Sequence, residues 1–262
     1  MNDAAESEAA AVVVRALADG RPRGRAGLAR ACGIDEAELE EALVRLQRLG
    51  VELIVEPEAV ALPRPVELLD ADRIVRGVPR LRPEATHVRF VVDSTNTFLT
   101  ERMRTGVAAP ELCAAEIQTA GRGRQARRWV SGLGQSLVLS VSWRFPRESD
   151  GLSGLSLAAG VALVEALAAG GFDRVMLKWP NDLVVEDRKL AGILVEASHS
   201  RTGSVACVVG VGFNLDLAPS GSDRIDQPWT DFAREFSRIP ARNALASQAA
   251  GAMFDALSLI HI

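Results

Sequence analysis

Four short strings carry the residue types and spacings that could do chemistry. The first, Gln118-Thr-Ala-Gly-Arg-Gly-Arg-Gln-Ala-Arg-Arg-Trp129, sets glycines 121 and 123 among arginines 122, 124, 127 and 128. Glycine lets backbone N–H groups approach an anion closely, and a guanidinium holds phosphate oxygens in a planar fork. The string therefore reads either as a loop that closes over a phosphate-bearing ligand or as a solvated basic loop. Its G-x-G-x-x-A match is not a dinucleotide fingerprint, because it runs on into Trp129 and a Gly/Ser turn with no acid placed for a ribose. In the second string, Lys178-Trp-Pro-Asn-Asp182 precedes Asp187-Arg-Lys-Leu-Ala-Gly192. Pro180 favours an extended Trp179, and Asn181-Asp182 turns the chain into a hairpin. Lys189 then opens a strand beside Ala191 and Gly192, which leave room for a ligand. A cation there could neutralise a carboxylate or an α-phosphate as charge develops; the bland alternative is an ordinary turn and a surface lysine.

Asp93-Ser-Thr-Asn96 joins a strand to a helix. Its hydroxyls and amide suit an uncharged polar group such as a urea, or simply cap the helix. Gly210-Val-Gly-Phe-Asn214 ends a strand with two glycines and an amide side chain, compatible with backbone approach to a nucleotide base. Of the 30 basic residues only Lys178 and Lys189 are lysines. A chain so biased toward arginine keeps lysine where a compact ammonium is needed.

The elements that must position these strings fall into two stretches. Residues 1–62 read as a winged helix-turn-helix: helices over Ala9–Ala18, Arg25–Cys32 and Asp35–Leu49, then strands Val51–Val55 and Ala59–Leu62. Asp35 and Glu38 are spaced as a capping box, and Leu39, Leu43, Leu46 and Leu49 form the stripe of the third helix. Residues 63–85, punctuated by Pro63, Pro65, Pro79 and Pro83, read as a linker with one short helix near Asp70–Arg76. From 86 to 262 strands alternate with single helices. Strands are expected over His87–Val92, Leu112–Gln118, Ser136–Trp143, Arg174–Lys178, Leu183–Glu186, Leu190–Ala197 and Ser204–Asn214. Helices are expected over Thr95–Arg104, Leu152–Ala169 and Ala241–Ala256. Hairpins mixed with single helices predict an α+β mixed sheet rather than a doubly wound parallel one.

Composition bounds the rest. The chain has 262 residues, 48% hydrophobic and 24% charged, with a net charge of −4, so it is long enough for a sizeable core and carries no global positive field. No apolar run reaches the ~18–20 residues of a membrane span. The acidic N-terminus is unlike a signal peptide, and the odd, scattered Cys32, Cys113 and Cys207 fit a reduced cytoplasmic protein. The sequence offers no protein-only metal cluster.

Taken in order, DSTN, QTAGRGRQARRW, KWPND with DRKLAGILVE, and VGVGFN resemble the biotin–protein ligases over about residues 86–216. The N-terminal module and the connector ALPRPVELL resemble those of the bifunctional members, which are also biotin-operon repressors. The resemblance implies a catalytic fold related to class II aminoacyl-tRNA synthetases, with ATP, Mg²⁺ and biotin as substrates and a biotin carboxyl carrier domain of a carboxylase as partner. It places Ser94, Thr95, Asn96 and Gln118 around biotin and Arg122, Gly123 and Arg124 on the loop over the adenylate. Lys189 falls on the reacting carboxylate and α-phosphate, Trp129 and Asn214 on the nucleotide side, and Asp182 as a polar or metal-associated group. A lipoate–protein ligase, on the same superfold, and a non-catalytic biotin-sensing regulator are the competing expectations. The family allows a homodimer.

Two departures qualify the resemblance. Residues 1–69 hold 8 basic and 13 acidic residues, the third helix opens Asp35-Glu-Ala-Glu-Leu-Glu-Glu41, and Arg21, Arg23, Arg25 and Arg30 are the only local counterweight. DNA binding draws its affinity from cationic contact with phosphates, so operator binding is disfavoured. The small C-terminal SH3-like barrel of the family also has no counterpart, and Leu257-Ser-Leu-Ile-His-Ile262 reads as an adapter-derived tail, the mark of a truncated catalytic domain.

Overall fold

The computed structural model describes residues 3–107, 110–145, 154–199, 204–218, 225 and 227–259, and divides into two compact units. The first comprises residues 1–68 with 132–134. Its helices are α1 (Asp3–Leu17), α2 (Arg25–Cys32) and α3 (Glu36–Arg48), and its strands β1 (Arg23–Gly24), β2 (Ile54–Val55) and β3 (Ala59–Ala61) form an antiparallel sheet in the order β1-β3-β2. Asp35 and Glu38 make the reciprocal capping box that their spacing predicts. Leu17, Leu28, Leu39, Leu43, Leu46 and Val60 fill the core, whereas Leu49 is the C-cap of α3 and only half-buried. Two of the four arginines between positions 21 and 30 are neutralised: Arg23 pairs with Asp19 at 2.8 Å, and Arg25 pairs with Glu40.

The second unit comprises residues 69–131 and 135–262. Seven strands, β4 (Thr86–Val92), β5 (Glu111–Gln118), β6 (Ser136–Phe145), β7 (Met176–Lys178), β8 (Asp182–Val185), β9 (Arg188–His199) and β10 (Val205–Asn214), form one sheet in the order β4-β5-β6-β10-β9-β8-β7. Among these strands only β4 and β5 run parallel, so the sheet is mixed. Helices α4 (Ala71–Val75), α5 (Thr95–Arg104), α6 (Leu155–Ala169), α7 (Phe232–Glu235) and α8 (Arg242–Leu259) complete it. The stretch read as a linker contributes Leu69, Ile74, Val78, Leu81 and Ala85 to this unit's core. Residues 152–153, at the start of the helix expected up to Ala169, and 260–262, at the expected adapter-like tail, lie outside the described residues. Among the described residues no helix is long and apolar enough to cross a membrane.

Strand parity sorts the central strand into two jobs, as a period of two requires. Cys207, Val209, Val211 and Phe213 of β10 face the main core with α6 and α8, while Ala206 and Val208 pack with Leu99 and Met103 of α5 on the opposite face. Gly210, Gly212 and Asn214 continue that second face beyond the packed part of α5, where they line a cavity. All ten residues of β10 are buried. The three cysteines are free, and burial pushes the thiols of Cys113 and Cys207 up to about 12.

Candidate active site

The cavity holds about 450 Å³ and lies within the second unit. All eleven residues singled out above line it: Ser94, Thr95, Asn96, Gln118, Arg122, Gly123, Arg124, Trp129, Asp182, Lys189 and Asn214. They come from the ends of four strands, one helix start and one loop, separated by up to 120 positions in the chain, from Ser94 to Asn214.

The floor is a buried network of uncharged polar groups. Ser94 occupies the N-cap position of α5, but its side chain makes no capping bond, so the bland reading of that serine does not hold. Thr95 donates its backbone N–H to Gln118 Oε1 at 2.8 Å, and their side chains lie 3.1 Å apart. Asn96 donates through Nδ2 to Leu194 O at 3.3 Å and accepts at Oδ1 from the Ser140 hydroxyl at 2.6 Å. Ser140 also lies 2.7 Å from Thr95 Oγ1. In the sheet register Ser140 is opposite Gly210, and a Cβ at 210 would collide with Asn96 Oδ1. The glycine is needed for close approach of a side chain rather than for an unusual backbone angle. Buried donors and acceptors held in this way recognise an uncharged polar group and penalise a ligand that leaves them unpaired.

One wall presents Lys189. Glu186 and Asp187 both take positive φ in the turn between β8 and β9, the backbone of a two-residue hairpin, and this brings Lys189 to the second position of β9. Its N–H donates to Pro228 O at 3.0 Å, its carbonyl accepts from Thr230 N at 2.9 Å, and Asn214 Nδ2 reaches both Lys189 O, at 3.3 Å, and Thr230 O, at 3.0 Å. The backbone is thus held on two sides. The ammonium forms an ion pair with Asp182 Oδ1 at 2.8 Å and lies 5.6 Å from the centre of the Trp129 ring. The side chain is only 16% exposed, so the surface-lysine alternative fails. The Trp179–Pro180 bond is cis. Beyond it Asn181 donates to Ile193 O at 2.7 Å, which pins the turn.

The third side is the loop 119–129. Gly121 admits Trp129 and Gln118 at distances a Cβ would forbid, and Trp129 N donates to Gly121 O at 2.9 Å. The indole lies over Gly192 and Gly212, which face each other across β9 and β10; a Cβ at 212 would run into it. Arg122 reaches Glu196 Oε2 at 2.9 Å and Thr97 Oγ1 at 3.0 Å, and Arg124 reaches Asn181 Oδ1 at 3.3 Å. Arg127 and Arg128 also line the cavity, so among the described residues five cations face one lining carboxylate, Asp182. Such an imbalance attracts a polyanion.

Ser140, Asn181 and Glu196 were not singled out from sequence. A serine inside the apolar strand Ser136-Leu-Val-Leu-Ser-Val-Ser142 was a signal available for the first of them.

Comparison with known proteins follows the same residues. The model of the biotin/lipoate A/B protein ligase family matches residues 88–214. The bifunctional ligase/repressor BirA of Salmonella typhimurium is 38% identical over 240 residues, covering 90% of this chain and 72% of that relative. The biotin–[acetyl-CoA-carboxylase] ligase of Mycobacterium tuberculosis is 36% identical over 162 residues, 59% of this chain and 57% of the relative. Among solved structures, the biotin protein ligase of Aquifex aeolicus in complex with biotin and ATP superposes with a TM-score of 0.54 at 27% identity, covering 66% of this chain and 70% of that one.

Proposed function

The chain belongs to the biotin/lipoate A/B protein ligase family, and from that premise we infer how its own residues carry out ATP-dependent biotin–protein ligation. The observation that carries this reading is a buried, uncharged hydrogen-bonding floor joined to a wall and loop bearing five cations. A bicyclic urea with a carboxylate tail, placed with its ring on the floor, directs the tail toward Lys189. The carboxylate oxygen attacks the α-phosphorus of ATP and pyrophosphate leaves, giving biotinyl-5′-adenylate. A carrier lysine then attacks the acyl carbon, and AMP leaves as the amide forms.

Neither step takes a nucleophile from this chain. Ser94, Thr95, Asn96 and Gln118 bind the ring; Lys189 holds the carboxylate and α-phosphate together and offsets charge that grows in the transition state. Arg122, Gly123 and Arg124 cover the anhydride and exclude water, and Trp129 and Asn214 lie on the nucleotide side. Mg²⁺ would accompany the triphosphate, and Asp182, among the described residues the one carboxylate lining the cavity, would stand beside it in the usual pattern of one protein carboxylate near substrate phosphates. The carrier is a biotin carboxyl carrier domain, as the name of the mycobacterial relative suggests. A lipoyl dithiolane offers no hydrogen-bonding ring to the Thr95–Asn96–Ser140 network, which favours biotin over lipoate.

Residues 1–62 fit a winged helix-turn-helix in which operator binding is possible but disfavoured. The helix order and three-stranded sheet support the first part; the acidic α3 and the pairing of Arg23 and Arg25 support the second. Residues 86–262 carry the catalytic chemistry, on a fold related to class II aminoacyl-tRNA synthetases.

The deciding experiment incubates purified protein with ATP, Mg²⁺, an apo carrier domain and either biotin or lipoate, read by streptavidin blot and AMP release. Biotin-dependent labelling with stoichiometric AMP is expected. Transfer of lipoate in preference to biotin, or AMP release without either acid, would overturn the reading.

A further inference from the structure

Glu196 stands outside the residues assigned above, yet one of its oxygens touches both halves of the site. Its Oε2 accepts from Asn96 Nδ2, part of the floor, at 2.8 Å and from Arg122 Nη2, part of the covering loop, at 2.9 Å. We propose that Glu196 is a positioning residue that fixes the orientation of the Asn96 amide and latches the arginine loop over the acyl-adenylate. The proposal rests on reading the cavity as the biotin and adenylate site.

The first role follows from donor and acceptor bookkeeping. An asparagine amide can be reversed with little change in shape, exchanging its carbonyl for its NH₂. Here Nδ2 faces two groups that can only accept, the Leu194 carbonyl and the Glu196 carboxylate, while Oδ1 receives the Ser140 hydroxyl. Reversal would put Oδ1 against a carbonyl and a carboxylate. Glu196 therefore holds Oδ1 toward Ser140 and Gly210, leaving its second lone pair for an N–H of the ligand. Leu194 alone, at 3.3 Å, is the weaker anchor.

The second role follows from exposure and from a second cavity. The Arg122 and Glu196 side chains are 45% and 32% exposed. Ion pairs of this kind are weak in water and sensitive to salt, which suits a latch that must open for substrate. Arg122 lines the main cavity and also a neighbouring one of about 280 Å³, which Glu196, Thr97 and Arg104 line as well. The pair thus stands at the partition between the two. Without it, solvent in the neighbouring cavity gains a path to the reactive anhydride, and the adenylate gains a path out.

The test compares Glu196→Gln, Glu196→Ala and Arg122→Ala in the full chain. Readouts are biotin affinity by calorimetry, pyrophosphate release, and the lifetime of preformed biotinyl-adenylate without carrier, followed by AMP appearance. Glu196→Gln keeps an acceptor for Asn96 but loses the charge, so it should shorten the adenylate lifetime by about three- to fivefold, the size of a partly exposed ion pair, with a smaller effect on biotin affinity. Glu196→Ala should do both, weakening biotin by roughly tenfold through the lost charge-assisted bond. In an Arg122→Ala background, Glu196→Gln should no longer change the lifetime, and high salt should bring wild type toward Glu196→Gln. An active wild type whose Gln variant keeps the wild-type lifetime and salt response would overturn the proposal, as would a lifetime loss from Glu196→Gln that persists without Arg122. Should Glu196→Ala fail to fold, the Gln variant decides alone. A wild type that forms no adenylate would instead overturn the ligase reading itself, and the proposal with it.

Discussion

Ser94, Thr95, Asn96 and Asn214 are each less than 5% exposed, whereas Arg122, Arg124, Arg127 and Arg128, lining the same cavity, are all exposed. The first group is buried against the middle of a seven-stranded sheet and held by a close hydrogen-bond network; the second rides on a loop braced by a few long side-chain contacts. Recognition of a neutral ring depends on fixed lone pairs, whose value comes from leaving a mismatched ligand unsatisfied. Holding phosphate depends on charge, which acts over distance and tolerates looser geometry. Floor variants should therefore fail in binding, and loop variants in retention of the intermediate.

The largest effect should come from the wall that carries Lys189. Lys189→Ala is expected to slow pyrophosphate release by at least about a hundredfold, since it removes the ammonium that offsets developing charge. Normal pyrophosphate release from that variant would remove Lys189 from the site. Next, Gly210→Ala sets a methyl group against Asn96 Oδ1 and should weaken biotin binding by roughly ten- to a hundredfold, with much less effect on ATP, because the floor packs too tightly to give way. Equal losses for both ligands in titrations would blur the division between floor and loop. Arg124→Gly should leave the floor intact and let adenylate escape, seen as biotin on bystander proteins. On the chain itself the label should fall on Lys178, 52% exposed, rather than on Lys189, so peptide mapping checks both the leak and the geometry.

The smallest effect concerns the support beneath the floor. Burial alone would raise the Glu111 carboxyl, but hydrogen bonds from Arg102 of α5 and His87 of β4 outweigh it and hold the group below the usual carboxylate range. A lowered folded value means that this stability is present above the unfolded value of about 4.3 and is lost as pH falls through the folded one. Glu111→Gln should cost about 1–3 kcal/mol near neutrality, and the difference from wild type should shrink under acid in denaturant titrations. A constant difference down to pH 2–3, roughly two units below the unfolded value, would contradict the assignment.

Much of this fold and site is legible in the order of the residues. Runs of apolar residues mark all seven strands of the second unit, and the capping box at Asp35 follows from local chemistry alone. Gly123, Arg122, Arg124 and Lys189 stand out by type, as glycine beside arginine or a lysine in an arginine-rich chain, whereas Gln118, Trp129, Asp182 and Asn214 take their roles from the resemblance to the biotin–protein ligases. Ser140 and Glu196 escape such a reading because their meaning is a matter of register, Ser140 lying opposite Gly210 and Glu196 opposite Val208, and register is set by partners far away in the chain. The prolines of residues 63–85 conceal a contribution to the core for a related reason. Proline reports local backbone, while Leu69, Ile74 and Leu81 belong to a core that extends to residues more than a hundred positions downstream, such as Leu245 and Phe254. Neutralisation of Arg25 by Glu40 is likewise invisible to a count of charges.

The position of β10 has a consequence for how such a pocket can change. Its amides are bonded to β6 on one side and β9 on the other, so Gly210 and Gly212 should be among the last N–H groups to exchange with deuterium. A binding surface laid on that strand cannot be widened by breathing. Any drift toward a bulkier vitamin analogue must then be absorbed by the arginine loop or by the strip at 228–230, and laboratory selection for altered acyl donors should find its gains there.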